Sequence, residues 1–270
     1  MGQLDGKCAV IIGASETGNV GQAVAHRFRD EGAQVTVASR NADASAAFAK
    51  EIGGFSTTCD ITKRDDSFAL AKFAKEKMGS LDIAVNSSGL ALGGPFVEFK
   101  EADLDKLIAL QFKGSFFFLQ AMVDAMDKGG SIIQYSSAVA QPGTSVDGGY
   151  EAYMGTKAGI DQVVRAVANQ FGRQGIRANT IAIGHTDTPM HHDNFGGGDI
   201  PEWMKACFAD ATPLGRYGTV DDAAAAAVWL ASDACFMTGD TLQVNGGLTL
   251  RRNPLKDDLE RYEREWQAKA

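Results

Sequence analysis

Six short runs are apolar at nearly every position: "CAVIIG" from Cys8, "QVTVAS" from Gln34, "LDIAVNSSG" from Leu81, "GSIIQYSS" from Gly130, "IRANTIAIG" from Ile176 and "DTLQVNGG" from Asp240. Runs without a polar face suit strands covered on both sides, as in a parallel sheet. Amphipathic segments lie between them, among them "VGQAVAHRFRDEG", "DDSFALAKFAKEKMG" and "DDAAAAAVWLAS". These end in Gly or Ser or open on acidic residues, as helix punctuation requires. Strand and helix in alternation imply right-handed crossovers and a doubly wound parallel α/β sheet. A chain of 270 residues that is 44% hydrophobic is ordinary for one such domain, placed here at residues 1–250.

Two segments stand outside the alternation. Residues 185–212 mix Gly, Pro, Met, His and aromatics, which suits a partly helical substrate loop. Residues 251–270 form a charged, helix-prone extension in which Leu255, Leu259, Tyr262 and Trp266 share one helical face. That face needs a partner, either this body or a neighbouring subunit.

A net charge of -8 argues against nucleic acid or an anionic membrane as partner. The four cysteines, Cys8, Cys59, Cys207 and Cys235, have neither metal-ligand spacing nor disulfide-scaffold density. No run is long enough to span a bilayer, so a cytoplasmic protein acting on a small molecule is expected. His191 and His192 beside Asp193 lack a fixed face and a third ligand, and no metal is expected.

After the first strand, "GASETGNVGQAVA" places Gly13, Gly18 and Gly21 before a helix. Glycine permits a tight turn and close approach of a pyrophosphate, and a helix N-terminus offers free N–H groups. At the end of the second strand, Ser39 and Arg40 stand where a carboxylate would hold a ribose 2′-hydroxyl. An arginine there favours a 2′-phosphate, hence NADP(H) over NAD(H). Glu16 in the turn works against that preference.

In "YEAYMGTK", Tyr153 and Lys157 are four residues apart and so neighbours on a helix. A nearby ammonium favours the phenolate, drawing the tyrosine towards a pKa useful for proton transfer. Tyr150 lies seven residues before the lysine, roughly 10 Å of helix rise, so direct contact is difficult without the cofactor between them. Ser136 and Ser137 end one strand, and "NSSG", Asn86 to Gly89, ends another, on the carboxyl edge where open α/β sheets bind ligands.

Taken in order, the glycine turn, Asp60 in "CDIT", "NSSG", Ser137, Tyr153 with Lys157, "IGHTDTPM" and "VNGG" resemble the short-chain dehydrogenase/reductase family from about Leu4 to Gly247. The resemblance implies a Rossmann-type sheet and a nicotinamide-dependent enzyme, in most members a homotetramer, so a homo-oligomer (tetramer or dimer) is expected. It makes Tyr153 the general acid/base, Ser137 the donor to the substrate oxygen and Lys157 the group that lowers the tyrosine pKa and binds the nicotinamide ribose. In the turn, Gly13, Ser15, Asn19, Val20 and Gly21 are implied to hold cofactor, with Ser39 and Arg40 at the ribose. Asp60 and Ile61 would meet adenine; Asn86, Ser87 and Ser88 the adenosine side; Gly184, Thr186 and Thr188 the nicotinamide and pyrophosphate.

Three departures bear on function. Gln111 in "LIALQFKGSFFF" stands where the family usually places the asparagine of a proton relay, and its longer amide either still holds the relay water or alters the relay. The glycine turn has the length of the variant seen in enoyl-acyl carrier protein reductases, whose active tyrosine precedes the lysine by seven residues, where Tyr150 stands. The Ser137 to Tyr153 spacing is three residues longer than usual, and measured from Tyr150 it becomes ordinary. The favoured expectation is hydride transfer between nicotinamide and a hydrophobic or aromatic ketone or secondary alcohol, with Val139, Tyr150, Met190 and Trp203 lining the substrate side. The alternatives are carbon-carbon double-bond reduction through Tyr150, and a nucleotide-binding sensor that has lost catalysis, suggested by Gln111 alone.

Overall fold

The computed structural model describes residues 2–141, 148–193 and 199–268. The six apolar runs become β1 (Cys8–Ile12), β2 (Gln34–Ser39), β4 (Ile83–Asn86), β5 (Gly130–Ser137), β6 (Ile176–Ile183) and β7 (Thr241–Val244). A further strand, β3 (Phe55–Thr58), is only half-buried and lacks the apolar signature because it forms the sheet edge. All pairings are parallel, in the order β3-β2-β1-β4-β5-β6-β7.

The helices are α1 (Val20–Asp30), α2 (Ala42–Glu51), α3 (Arg64–Met78), α4 (Glu101–Leu107), α5 (Ser115–Ala125), α6 (Glu151–Phe171), α7 (Pro189–Asp193), α8 (Glu202–Ala211), α9 (Val220–Ala231) and α10 (Lys256–Gln267). Along β1 the side chains alternate between layers. Ala9 and Ile11 join Val24, Phe28, Ala224 and Val228 of α1 and α9, whereas Cys8, Val10 and Ile12 join Leu70, Phe118, Met122 and Ile160 of α3, α5 and α6. The sheet is therefore a buried middle layer, and its functional edge is the row of loops after the strand ends. Strand order reverses direction between β1 and β4, and the crevice beyond their carboxyl ends is where such sheets take ligands.

The tail folds back on its own chain. Leu259 of α10 packs with Ile200, Met204 and Phe208, and Tyr262 Oη donates to Asp210 Oδ2 at 2.6 Å. Trp266, on the same predicted face, stays 45% exposed, so only the first half of that face is covered.

Candidate active site

The nucleotide turn is built from glycine conformations that a side chain would oppose. Gly13 has φ +94°, and a Cβ there would lie 2.8 Å from both Ser87 Oγ and the Ser88 nitrogen. A Cβ on Gly21 would meet Ser87 Oγ at 2.5 Å and the Gly13 carbonyl at 2.7 Å, so this glycine lets α1 seat against the turn. Asn19 caps α1: its Oδ1 accepts from Gln22 N–H at 2.9 Å while its Nδ2 donates to the Gly13 carbonyl at 2.8 Å. No acidic residue occupies the first turn of α1, so no carboxylate within the helix offsets its positive end.

The turn opens on a cavity of about 320 Å³. Thirteen of the sequence-predicted residues line it: Gly13, Ser15, Asn19, Val20, Ser39, Arg40, Ile61, Ser87, Ser88, Tyr153, Lys157, Thr188 and Met190. Glu16 lines it as well, with Cys59, Gly89, Leu110, Tyr135 and Ser136. Gly89 brings the backbone up to the opposite wall, since a Cβ there would be 3.1 Å from Met190 Cε and 3.7 Å from Lys157 Nζ.

Other predicted residues serve this cavity from behind. Asn86 is fully buried, donating through Nδ2 to Ser115 Oγ at 3.0 Å and Gln134 Oε1 at 2.9 Å while its Oδ1 accepts from Ser88 N–H. It therefore clamps the β4 and β5 ends. Asp60 turns its carboxylate onto the Thr62 hydroxyl and N–H, bonds that hold its pKa below the ordinary value against the opposing effect of burial. Ser39 Oγ is shared among Ser45 Oγ and the backbone of Asn41, so its hydroxyl braces the start of α2. Gly184 and Thr186 line a separate cavity of about 240 Å³ with Arg216, Asp222 and Asn245. Trp203 packs on the Ile200, Met204 and Phe208 cluster, and Val139 follows Ser137 in a short 3-10 turn.

Gln111 sits in a π-helical segment, Ile108–Gly114, between α4 and α5. Its Nε2 donates to the Leu90 carbonyl at 2.7 Å, and its buried Oε1 has no partner. Single π turns concentrate at functional sites, and this one aims the amide at the segment after "NSSG".

Tyr153 and Lys157 stand on the first two turns of α6, and Tyr150 is its N-cap residue, outside the helix proper. Lys157 Nζ donates to the Tyr135 carbonyl at 2.9 Å and lies 5.9 Å from the centroid of the Tyr153 ring. Burial pushes the Lys157 pKa down to about 8, opposed by the Asp161 carboxylate. Burial raises the Tyr153 phenol above its ordinary value, with a hydrogen bond to Ser137 acting the other way. The expected depression of that phenol is thus reversed here. The ammonium points to a backbone carbonyl over the ring face, and desolvation outweighs what stabilises the phenolate. Tyr150 packs its ring 6.4 Å from that of Tyr153, edge to face, and against Gly93, where a Cβ would meet Tyr150 Cε1 at 3.2 Å.

Sequence reasoning missed two features. Asp161, one turn beyond Lys157 on α6, is buried and bonded to Ser136 and Gln141. Continuing the four-residue spacing from Tyr153 through Lys157 would have reached it. His185 is the other: its ring lies 4.0 Å from that of Phe208, and its buried Nε2 has no partner. Nothing in the loop's composition singled it out. Among the described residues no cluster of His, Cys, Asp and Glu could hold a metal, and no helix is long and apolar enough to cross a membrane.

A parallel seven-stranded sheet, a glycine turn before α1, a serine at the end of β5 and a tyrosine and lysine on the first turns of α6 define a nicotinamide-dependent oxidoreductase of the Rossmann class. A family model described as enoyl-(acyl carrier protein) reductase matches residues 13–249. The chain is 32% identical over 259 residues to the D-threitol dehydrogenase of Mycolicibacterium smegmatis, covering 92% of this chain and 95% of that one. It is 34% identical over 252 residues to the 7alpha-hydroxysteroid dehydrogenase of Escherichia coli K12, covering 91% and 95%. A crystal structure of a short-chain type dehydrogenase/reductase from Mycobacterium marinum superimposes with a TM-score of 0.82 at 28% identity, covering 91% of this chain and 96% of that one. The chain belongs to the short-chain dehydrogenase/reductase family.

Proposed function

We propose that the protein is an NADP(H)-dependent reductase of ketones, or dehydrogenase of secondary alcohols, in which Tyr153 moves the proton. The observation that carries this reading is that Tyr153 and Lys157 line the cavity that the glycine turn opens, with Ser137 acting on the Tyr153 phenol from the end of β5. The cradle suits a dinucleotide: a Cβ would fill it at Gly13 and Gly89, and the start of α1, with no acidic residue in its first turn, lines it through Val20. Gly13, Ser15, Asn19, Val20 and Gly21 would hold the pyrophosphate, Arg40 the 2′-phosphate and Ile61 the adenine. Ser87 and Ser88 would lie along the adenosine side, and Lys157 and Thr188 at the nicotinamide end. When bound, the nicotinamide supplies or accepts the hydride.

The chain's own part is proton transfer and charge stabilisation. In reduction, Ser137 and Tyr153 donate hydrogen bonds to a carbonyl oxygen, and the phenol proton passes to that oxygen as negative charge develops there. The Lys157 ammonium stabilises the phenolate left behind. In oxidation the same phenolate takes the alcohol proton. The raised Tyr153 pKa suits the acid role, since the phenol holds its proton at neutral pH until substrate oxygen draws it off. The cavity beside Met190 and Leu110 is apolar enough for a hydrophobic substrate, in keeping with the hydroxysteroid named for one relative; a polyol named for another marks the range a panel must cover.

A second reading, reduction of a carbon-carbon double bond through Tyr150, is favoured by the edge-to-face contact that brings its ring beside Tyr153. Kinetics of Tyr153→Phe and Tyr150→Phe on ketone and enoyl substrates separate the two. The proposal expects Tyr153→Phe to lower kcat/KM on ketones by about 10²-fold or more while NADPH still binds, and Tyr150→Phe to alter mainly KM. Loss of enoyl reduction confined to Tyr150→Phe would replace it.

A further inference from the structure

Behind the tyrosine and lysine, α6 carries a third polar residue that the proton-transfer scheme does not use. Asp161 follows Lys157 by four residues, as Lys157 follows Tyr153, so the three occupy successive turns of one helical face. The carboxylate is 92% buried. Its Oδ2 accepts from Ser136 Oγ at 2.8 Å and from Gln141 Nε2 at 3.1 Å, and its Oδ1 is buried without a partner. Ser136 precedes Ser137 on β5, and Gln141 closes the turn that follows it. One carboxylate therefore ties α6 to both flanks of Ser137.

A buried carboxylate with an unpartnered oxygen is costly, and the buried cation acting on it is Lys157, itself 96% buried. Each acts on the other: Asp161 favours the charged form of Lys157, and Lys157 favours that of Asp161. Tyr153 is the other titratable group beside Lys157, with Tyr150 acting on Tyr153, and Arg165, one turn further along α6, favours the charged form of Asp161.

We infer that Asp161 is a positioning residue that keeps Lys157 protonated and holds Ser137 in place for proton transfer. The inference rests on the reading of Tyr153 and Lys157 as the proton-transfer pair. Neutralising Asp161 removes an anion from beside both Lys157 and Tyr153, and either effect moves the alkaline limit of carbonyl reduction to lower pH.

The test follows the Lys157 ammonium directly in the full chain, by NMR of protein labelled at the lysine ε carbon, with the Lys157 signal assigned through Lys157→Met. Asp161→Asn keeps the shape and should lower the Lys157 titration midpoint by at least half a pH unit. Asp161→Glu keeps the charge but shifts it off Ser136 and Gln141; it should hold the midpoint near that of the unaltered chain. The alkaline limb of 9,10-phenanthrenequinone reduction should move the same way, with Asp161→Glu losing rate without moving the limb. A Lys157 midpoint unchanged in Asp161→Asn, or shifted equally in both variants, overturns the inference. Failure of the parent reading looks different: Tyr153→Phe would then turn over normally, whatever the lysine titration shows.

Discussion

Among individual residues, the proposed preference for NADP(H) rests on Arg40, exposed at the rim of the cavity beyond β2. Ser39, its neighbour, commits its hydroxyl to Asn41 and Ser45, which leaves the guanidinium as the group to read a 2′-phosphate. Charge-assisted bonds of this kind contribute about 1.5–3 kcal/mol, so Arg40→Asp should cut the ratio of NADPH to NADH efficiency by about 10- to 100-fold. Steady-state kinetics with both nucleotides measure it, and an unchanged ratio would leave the 2′-phosphate unread at this position. Much of the site was legible at this scale because its chemistry rests on residue types in fixed order. Gly13, Ser87, Tyr153 and Lys157 were all placed by the sequence around one cavity. The roles of Asn86, Asp60 and Ser39 as braces were not legible, since whether a polar side chain faces ligand or backbone depends on the loops around it. The direction of the Tyr153 shift was hidden for a related reason: spacing brings a lysine near, but only packing decides that its ammonium meets the Tyr135 carbonyl.

Among the elements, the alternation of apolar runs and amphipathic segments placed six of the seven strands, because strands covered on both faces have no polar positions to hide. The exception, β3, is an edge strand whose "FSTT" reads as loop without its β2 neighbour. The tail shows the same limit from the other side. Its shared face was visible, but its partner, α8 of the same chain, was not. Leu259 and Tyr262 hold α10 to α8, whose Phe208 in turn stacks on His185 beside Thr186. The expected consequence is that α10 steadies α8. Leu259→Ala with Tyr262→Phe removes a half-buried side chain and one hydrogen bond, about 1–3 kcal/mol together. Amide hydrogen exchange should quicken across residues 202–211 and leave β1 and α1 unaffected. Exchange that rises uniformly, or not at all, would mean that α8 does not depend on the tail.

For the whole molecule, acid stability should reflect His185. Burial beside Phe208 and Tyr217, with the nearby His191, pushes its pKa down to about 4 from an ordinary 6.5, while a bond to Asn253 acts the other way. A folded-state value below the unfolded one means that the unfolded chain takes up the proton first. Stability from this group is full above about pH 6.5 and declines as pH falls towards 4. Thermal unfolding of the unaltered chain should therefore drop more between pH 7 and pH 5 than that of His185→Phe; equal drops would place the acid sensitivity elsewhere. The homo-oligomer expected from the family resemblance would add a concentration dependence to Tm, so both chains are compared at one concentration.

The central claim is that this cavity brings nicotinamide and a carbonyl together with Tyr153 as the proton donor. Mass analysis of product formed from a ketone and NADPH deuterated at the transferring position tests it most directly. The unaltered chain should deliver one deuterium to the carbinol carbon, and Tyr153→Phe, saturated with the same nucleotide, should deliver almost none. Label delivered by Tyr153→Phe at an undiminished rate would contradict the claim.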